Sequence, residues 1–253
     1  MLQDMSAEII MSMSLIFARL GSALSQFPAI STNFVITNGR LAIALVTCIV
    51  LYPVVHSSLP EFPMSTGEYL ICLILEIIIG IIISMAAKIC FSALDTVGAI
   101  MSMQSGLSAA MFFDPNHNEQ KSIMSNFFLL VGYVMIFVTD THYLFFEAVV
   151  DSYSIFPVGE FPNTGDLSEF ITKTVNQSFI LAFKLASPFI AVSLSFLISN
   201  GVLSRLMPNL QVFFVVTPAQ IFVMFIILFI VINLMMGKLI EALRAATHMH
   251  MLF

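Results

Sequence analysis

The sequence has no tryptophan and very little charge. Only 9% of its 253 residues are charged and 59% are hydrophobic, whereas an ordinary soluble domain has about 25% charged residues. This composition excludes an ordinary soluble protein and indicates a membrane protein. Because tryptophan is absent, the 25 phenylalanines and 5 tyrosines must supply the bulky apolar contacts and any aromatic belt at the membrane interfaces.

Positive charge is especially scarce. Nine Lys and Arg face fifteen Asp and Glu, which gives a formal net charge of −6. A phosphate backbone attracts clusters of Lys and Arg, and the sequence contains none, so we expect no nucleic-acid partner. The first residues carry Asp4 and Glu8, whereas a secretory signal begins with positive charge. We therefore expect the N-terminus to be retained.

Motifs for catalysis and metal binding are also missing. The three cysteines, Cys48, Cys72 and Cys90, lie in apolar runs without a C-x-x-C pair, and they are interpreted as small buried hydrophobic residues. The sequence contains no G-x-x-x-x-G-K-[ST], H-E-x-x-H or G-x-S-x-G motif. We expect no enzymatic activity, no metal and no cofactor.

What is present is a series of long apolar runs separated by polar, proline-rich or glycine-rich segments. They predict an all-α membrane protein with about six long hydrophobic helices, because a membrane-crossing helix needs about 20 mostly apolar residues. The predicted helices cover residues 7–27, 41–55, 65–102, 123–139, 167–199 and 211–244. The fifth should be capped by Asp166 with Glu169 in a capping box, and should end near Asn200 and Gly201.

The third predicted helix contains Glu76, Lys88 and Asp95. A charge at the membrane centre costs about 2.5–3.5 kcal/mol, so much of this helix should face protein or water. Lys88 and Asp95 are seven residues apart and share a helical face. We interpret them as a buried ion pair. A proton relay and a pairing with another subunit are the alternatives.

Residues 101–122 interrupt the pattern with an apolar first half and a polar second half. A turn at Asp114–Pro115–Asn116 separates the two. From composition alone this is a re-entrant or packing loop. Its notable apolar and glycine residues are Met101, Met103, Gly106, Leu107, Met111, Phe112 and Phe113.

The acidic stretch 140–151 predicts a separate amphipathic helix, which lies at an interface or, because it is acidic, against a protein partner.

The segment 204–237 has no charge between Arg205 and Lys238. Pro208–Asn209 marks a turn, and Pro218 lies about two turns into the following helix. Gly201, the run 205–210, the run 212–214, Pro218 and Ile221 occur in an order that resembles the FliR family. The segment 152–157, a Ser-aromatic pair leading to a proline, resembles the same family.

The FliR family belongs to the flagellar type III protein export gate and is related to the SctT proteins of injectisomes. The resemblance implies a FliP-like part (residues 1–165) followed by a FliQ-like hairpin (166–253) with its loop at 200–211. It also implies that segment 101–122 is a plug closing a central pore, with the seven residues named above as its gating residues.

The resemblance further implies a set of partners. These are FliP-like and FliQ-like subunits, an FlhB-like switch protein, an FlhA-like protein and unfolded flagellar export substrates, in the bacterial inner membrane at the flagellar basal body. The hairpin loop would contact the switch protein through Arg205, Pro208, Asn209 and Phe213. Alternatively, Arg205 simply anchors the loop at the membrane surface.

Two other functions fit the residues. Pro188 and Pro218 could mark the broken helices of a small-molecule or ion secondary transporter. The chain could also be a purely structural membrane scaffold.

Overall fold

The computed structural model describes residues 2–31, 35–60, 65–107, 122–207 and 212–247. Within these ranges the chain forms seven α-helices, one 3-10 turn at His56–Ser58 and no strand. The helices are α1 (Leu2–Gln26), α2 (Thr37–Val55), α3 (Thr66–Ser105), α4 (Ile123–Val138), α5 (His142–Ile155), α6 (Thr164–Leu206) and α7 (Val212–Thr247). The predicted all-α class is confirmed.

Five of the described helices are long and apolar enough to cross a membrane. The candidate spans are Glu8–Gln26, Thr37–Ser58, Thr66–Ser105, Thr164–Leu206 and Val216–Thr247. The pair α4 and α5, bent by 74°, gives a sixth if it counts as one broken span. The prediction of about six long hydrophobic helices is therefore confirmed. With 40 and 43 residues, α3 and α6 are about twice as long as a minimal span.

Side-chain caps define where two of the helices begin. Ser65 Oγ accepts a hydrogen bond from the Glu68 amide at 3.3 Å, and Glu68 Oε2 accepts one from the Ser65 amide at 3.0 Å, which is a capping box at the start of α3. At α6 the Gly165 amide donates to Asn163 Oδ1 at 3.0 Å. The predicted cap at Asp166 is wrong, because Asp166 already lies in the first turn of the helix.

The end of α6 also differs from the prediction. The helix continues through Asn200 and Gly201 and ends at Leu206. The proline at position 208 disfavours helical geometry in the residue before it, and Met207 is indeed the first residue outside the helix. The stop is therefore set by the proline, because a single glycine inside a long apolar helix costs only about 1 kcal/mol.

The chain divides into two compact units. The first consists of Met1–Cys90, Ile136–Val175 and Leu243–Phe253, and the second of Phe91–Met135 and Asn176–Ala242. The core of the first unit includes Leu15, Leu20, Ile79 and Phe145, and that of the second includes Leu94, Met101, Phe128, Phe189 and Met224. The predicted division into a FliP-like part (residues 1–165) and a FliQ-like hairpin (166–253) stays a prediction.

Two glycines of α3 let neighbouring helices approach its backbone. In the first unit, a Cβ added at Gly80 would overlap the Arg19 carbonyl oxygen and Ser22 Oγ of α1. In the second unit, a Cβ at Gly98 would overlap the backbone of Ser125 in α4, whose hydroxyl donates to the Asp95 carbonyl at 2.8 Å. Close packing through small residues is typical of membrane helices.

Candidate functional site

The predicted plug begins at the end of α3. Met101 and Met103 still lie on the helix, where Met101 is fully buried and Met103 is 71% exposed. Gly106 ends the helix with φ +78°, and its amide donates to the Met103 carbonyl at 3.3 Å. A left-handed glycine is a common end of a helix. The predicted loop start at residue 101 is corrected to Gly106. Leu107, half-buried, is the last described residue before the gap.

Three polar residues hold this end of α3 in the second unit. Gln220 Nε2 of α7 donates to the Gln104 carbonyl oxygen at 2.5 Å, and Ser193 Oγ of α6 donates to Gln104 Oε1 at 2.5 Å. Gln220 Nε2 also lies 3.5 Å from Ser193 Oγ. We call Gln104, Ser193 and Gln220 the polar cluster. It connects the C-terminal turn of α3 to both α6 and α7.

The polar cluster supplies a hydrogen-bond donor to a backbone carbonyl group at the C-terminal end of α3. The last four carbonyl groups of a helix have no intrahelical donor, and Gln104 is one residue from the end of α3. The side-chain amide of Gln220 supplies the missing donor. A methyl of Thr217, one turn earlier on α7, would lie 3.8 Å from a Cβ at Gly106. The exit of the chain from α3 therefore lies against α7.

A second polar centre, in the first unit, surrounds Arg19 of α1. Arg19 Nε and Nη2 donate to the two carboxylate oxygens of Glu76 at 2.5 and 2.8 Å, and both side chains are fully buried. Nη1 donates to Ser152 Oγ and Nη2 to the Phe156 carbonyl, each at 3.0 Å. The guanidinium carbon lies 3.8 Å from the ring centre of Tyr153.

The Arg19 centre is a structural link. Its four hydrogen bonds and one ring contact join α1, α3 and the end of α5. A bidentate pair in which the guanidinium makes further hydrogen bonds is the form in which a buried charge is tolerated. The predicted amphipathic helix is α5, and its buried face packs inside the chain through Phe145, Ala148 and Val149.

The predicted buried ion pair between Lys88 and Asp95 is wrong in its burial. Lys88 is exposed, Asp95 is half-buried, and Lys88 Nζ donates to Gln26 Oε1 of α1 at 3.1 Å. Seven residues along a helix correspond to a rise of about 10.5 Å, and the lysine amine reaches across to α1 rather than along α3. The buried ion pair of this helix is formed by Glu76 with Arg19.

Of the predicted contact residues, only Arg205 is described together with its side chain. Arg205 is exposed in the last turn of α6, where a positive charge is favoured by the helix dipole. Phe213 lies in α7, and its side chain is outside the described part of the chain. Pro208 and Asn209, like the predicted plug residues Met111, Phe112 and Phe113, lie outside the described residues.

Comparison with known proteins identifies the family. Residues 10–246 match the family described as bacterial export proteins, family 1. The chain belongs to this family. It is 33% identical over 208 residues to the flagellar biosynthetic protein FliR of Caulobacter vibrioides, covering 82% of this chain and 83% of that protein.

Two further relatives of this export protein are similar over most of their length. The flagellar biosynthetic protein FliR of Bacillus subtilis is 25% identical over 240 residues, covering 91% of this chain and 92% of that protein. That of Escherichia coli is 25% identical over 202 residues, covering 79% and 76%. The resemblance to the FliR family is confirmed, and the chain is a component of the flagellar export apparatus.

The sequence did not predict the residues that form the polar cluster and the Arg19 centre of this export protein. Arg19 and Glu76 were each visible as a charge inside an apolar run, and Gln104 and Gln220 as amides inside apolar runs. Such groups require partners within a membrane. The signal that could have found them is the presence of complementary polar side chains in apolar runs. The fold is needed to show which of these side chains form hydrogen bonds with one another.

Proposed function

We propose that the chain is a non-enzymatic subunit of the flagellar type III export gate, which forms, with FliP-like and FliQ-like subunits, the pore through which unfolded flagellar proteins are exported. The observation that carries this proposal is the family match over residues 10–246, together with relatives that are flagellar biosynthetic proteins. In this proposal the chain resides in the bacterial inner membrane, at the flagellar basal body.

Charges on the exposed faces of the long helices support an assembly. Lys88 of α3 and Lys184 of α6 are exposed, and both lie inside candidate spans. A lysine that faced lipid in the middle of a span would cost about 2.5–3.5 kcal/mol. Contact with other subunits or with water inside a pore removes this cost, so these faces suit a complex better than a lone chain in lipid.

Exposed apolar side chains leave a large surface for neighbouring subunits. On α2, Val46 and Val50 are more than 60% exposed, and on α7, Phe229 and Ile230 are 83% and 69% exposed. In the proposal, residues 1–165 take the FliP-like place and residues 166–253 the FliQ-like place in a ring of related subunits. Such a ring would cover these side chains.

The proposed gate is the predicted segment 101–122, whose loop begins at Gly106. Met103 is exposed one turn before the chain leaves α3 at Gly106, and flexible methionine side chains fill irregular gaps, as a seal around a moving polypeptide requires. The exposed Arg205 at the end of α6 would contact an FlhB-like switch protein together with Pro208, Asn209 and Phe213. An FlhA-like protein is a further proposed partner.

A complementation experiment tests the export role. Cells that lack this chain should secrete no flagellar proteins, and the unchanged chain should restore secretion and swimming. The single variant Arg205→Ala tests the contact at the α6 end, since a specific contact predicts reduced secretion with normal recovery of the complex. Normal secretion without the chain would refute the export role, and normal secretion by Arg205→Ala would leave that residue as a surface anchor only.

Deletion of residues 106–113 tests the plug. The deletion should raise the ion leak of cells that contain the assembled complex while leaving assembly intact, because it removes the proposed seal but none of the described helices. A matched control replaces the same eight residues by an equal length of glycine and serine, which keeps the loop length without the apolar side chains, and it should leak as well. Unchanged conductance in a properly assembled deletion variant would count against the plug.

The secondary-transporter alternative gains no support from the fold. Its argument depended on helices broken at Pro188 and Pro218, but α6 and α7 each continue through their proline as one helix. A transporter would also fold and bind a solute by itself, whereas the proposed subunit depends on its neighbours.

A further inference from the structure

We propose that one exposed face of α6 is a docking surface for a membrane helix of a neighbouring subunit, and that this helix presents an aspartate or glutamate to Lys184. The surface consists of Lys184 and the small residues Ser187, Ala191, Ser195 and Ser199, and we call it the small-residue face. The proposal rests on the proposed function, because it names the chemistry of a partner within that assembly.

The small-residue face lies on the side of α6 that the chain leaves uncovered. Its members follow one another at intervals of three and then four residues, so they share one side of the helix. All five are exposed, whereas Ala186, Phe189 and Ser193 on the opposite side are buried. The face therefore points away from the core of the second unit, where a partner can reach it.

The shape of the small-residue face suits a helix better than water. Small residues four positions apart let two membrane helices approach each other closely. Large apolar side chains border the face, since Phe183, Leu194 and Ile198 are all exposed. Contact with water would leave these apolar side chains hydrated, which is unfavourable, whereas a second helix would cover them. We therefore infer that the face receives a helix.

The serines of the face need no partner for their hydroxyl groups. Ser187, Ser195 and Ser199 each donate to a carbonyl oxygen about one turn earlier on α6, at 2.8, 3.0 and 2.8 Å. For Ser187 the acceptor is the Lys184 carbonyl, to which Pro188 cannot donate because it lacks an N–H group. The hydroxyl groups are thus satisfied within α6, and the charge of Lys184 is what demands a partner.

Lys184 determines the chemistry of that partner. Its side chain is exposed inside the candidate span Thr164–Leu206, and it forms no hydrogen bond or ion pair with the part of the chain that the structure describes. The nearest acidic residue on α6 is Glu169, about four turns earlier. A charge inside a membrane is expected to pair with an opposite charge, so the carboxylate has to come from another helix.

The place of Lys184 along α6 favours a protein carboxylate over a lipid phosphate. The residue lies near the middle of the 43-residue helix, about 30 Å from either end at the usual rise per residue. Lysine side chains that reach the headgroups do so from positions near the ends of a membrane helix. A carboxylate on the docked helix can lie at the level of Lys184 itself.

Chemical crosslinking of the unchanged complex tests the pair directly. A membrane-soluble carbodiimide joins a lysine amine to a carboxylate in contact with it. Mass spectrometry of the complex should show Lys184 joined to an aspartate or glutamate of a neighbouring subunit, and Lys184→Met should lack this link. Lys238 and Glu241, whose charged groups are 2.6 Å apart, are the positive control. A link at this control pair with Lys184 left unmodified, as a lipid phosphate partner predicts, would overturn the proposal.

Charge variants test whether the pair is needed for assembly. Lys184→Glu should lower the recovery of FliP-like and FliQ-like subunits with the tagged chain at least about tenfold, because like charges that meet at an interface are strongly unfavourable. Lys184→Arg keeps the charge and should keep the recovery. Lys173→Glu reverses another exposed lysine of α6, outside the small-residue face, and should also leave recovery unchanged.

A steric pair of variants tests the close approach of the helix. Ala191→Phe fills the small-residue face and should lower recovery about tenfold, because the partner helix can no longer lie close to α6. Leu197→Phe introduces the same residue at another exposed position, about a third of a turn away around the helix, and should not. The amount of each variant chain in membranes without partners is measured alongside, since misfolding lowers it and lost docking does not.

The outcomes separate the docking surface from the proposed function. Normal recovery with both Lys184→Glu and Ala191→Phe would overturn the docking surface and leave the assembly standing. An unchanged chain that recovers no FliP-like or FliQ-like subunit would refute the proposed function instead, and a carbodiimide link from Lys184 to another membrane protein would still support the docking surface. The crosslink is measured in the unchanged chain, so it decides the question even if a variant does not fold.

Discussion

At the scale of single residues, Arg19 shows how a charge is accommodated in an apolar protein. Its guanidinium is fully buried and meets a carboxylate, a hydroxyl, a carbonyl and an aromatic ring. Removing one member of a buried pair leaves the other charge without compensation, which costs about 3–5 kcal/mol. The effect of removing Arg19 on stability therefore depends mainly on the buried Glu76 carboxylate that loses its partner.

We predict that Arg19→Met destabilises the protein by about 3–5 kcal/mol, because the carboxylate of Glu76 stays buried without its partner. The double variant Arg19→Met with Glu76→Leu should recover part of this loss, since it removes both charges. Thermal unfolding of the purified complex in detergent measures both effects. Recovery should be incomplete, because Ser152 and the Phe156 carbonyl still lose their donor.

The exposed pair Lys238–Glu241 provides the matched control. Its side chains are 50% and 66% exposed, and exposed pairs contribute about 0–1 kcal/mol. Lys238→Met should therefore leave the midpoint almost unchanged. Equal losses from Arg19→Met and Lys238→Met, or a double variant no more stable than Arg19→Met, would contradict the proposed role of the buried pair.

The predicted pair Lys88–Asp95 and the observed pair Arg19–Glu76 show what local sequence can and cannot supply. Lys88 and Asp95 were paired because they share a helical face, a relation that depends on one helix alone. Arg19 and Glu76 are 57 residues apart, and they meet only because Gly80 allows α1 to lie against α3. The presence of charges in apolar runs was predictable, but their partners depend on helix packing that spacing does not encode.

At the scale of helices, α4 and α5 form a sharp corner. The two helices meet at 74° across three residues, and the middle one, Asp140, has φ +54°. Left-handed geometry costs most residues about 1–2 kcal/mol, whereas Asp, Asn and Gly tolerate it. The residue at position 140 should therefore affect stability through its tolerance of positive φ and not through its charge.

We predict that Asp140→Val lowers stability by about 1–2 kcal/mol, because a β-branched residue is disfavoured at positive φ. Asp140→Gly should be neutral or stabilising. Asp140→Asn should be neutral, because asparagine lacks the charge but also tolerates positive φ. Thermal unfolding of the three variants is the measurement. A loss in Asp140→Asn as large as that in Asp140→Val would show that the carboxylate, not the backbone, is what matters.

Most helices were predictable because their signals are local. The start and end of α4 and the end of α2 agree with the apolar runs to within a residue. Other boundaries differ: α1 begins at Leu2 rather than at residue 7, α2 begins at Thr37 rather than at residue 41, and α3 ends at Ser105 rather than at residue 102. Two local signals competed at each end of α6. At α6, Asn163 rather than Asp166 caps the start, and Pro208 rather than Gly201 defines the end. The segment 108–121, which contains the predicted plug residues Met111, Phe112 and Phe113, is apolar in its first half and polar in its second and gives no periodic signal.

At the scale of the whole molecule, much of the apolar surface of the long helices is left uncovered by the chain itself. The α2 and α7 spans are both strongly apolar. Within the chain, only 17% of an 18-residue apolar stretch of the α2 span and 22% of such a stretch of the α7 span is buried. The long α6 adds the exposed Lys184 to this surface. Lipid can cover the apolar side chains but disfavours the lysine, which suits contact with the proposed subunits or with water in the proposed pore.

We therefore predict that the chain is unstable when purified alone and stable when co-expressed with its FliP-like and FliQ-like partners. A partner that binds only the folded chain stabilises it by about 2.7 kcal/mol at a concentration one hundred times its dissociation constant, so the thermal midpoint in detergent should rise when the partners are present. An unrelated membrane protein of similar size, co-expressed at the same level, is the control and should leave the midpoint unchanged. A chain that is monodisperse and equally stable by itself, with its midpoint raised by a small solute instead, would show a transporter-like molecule and contradict the assembly.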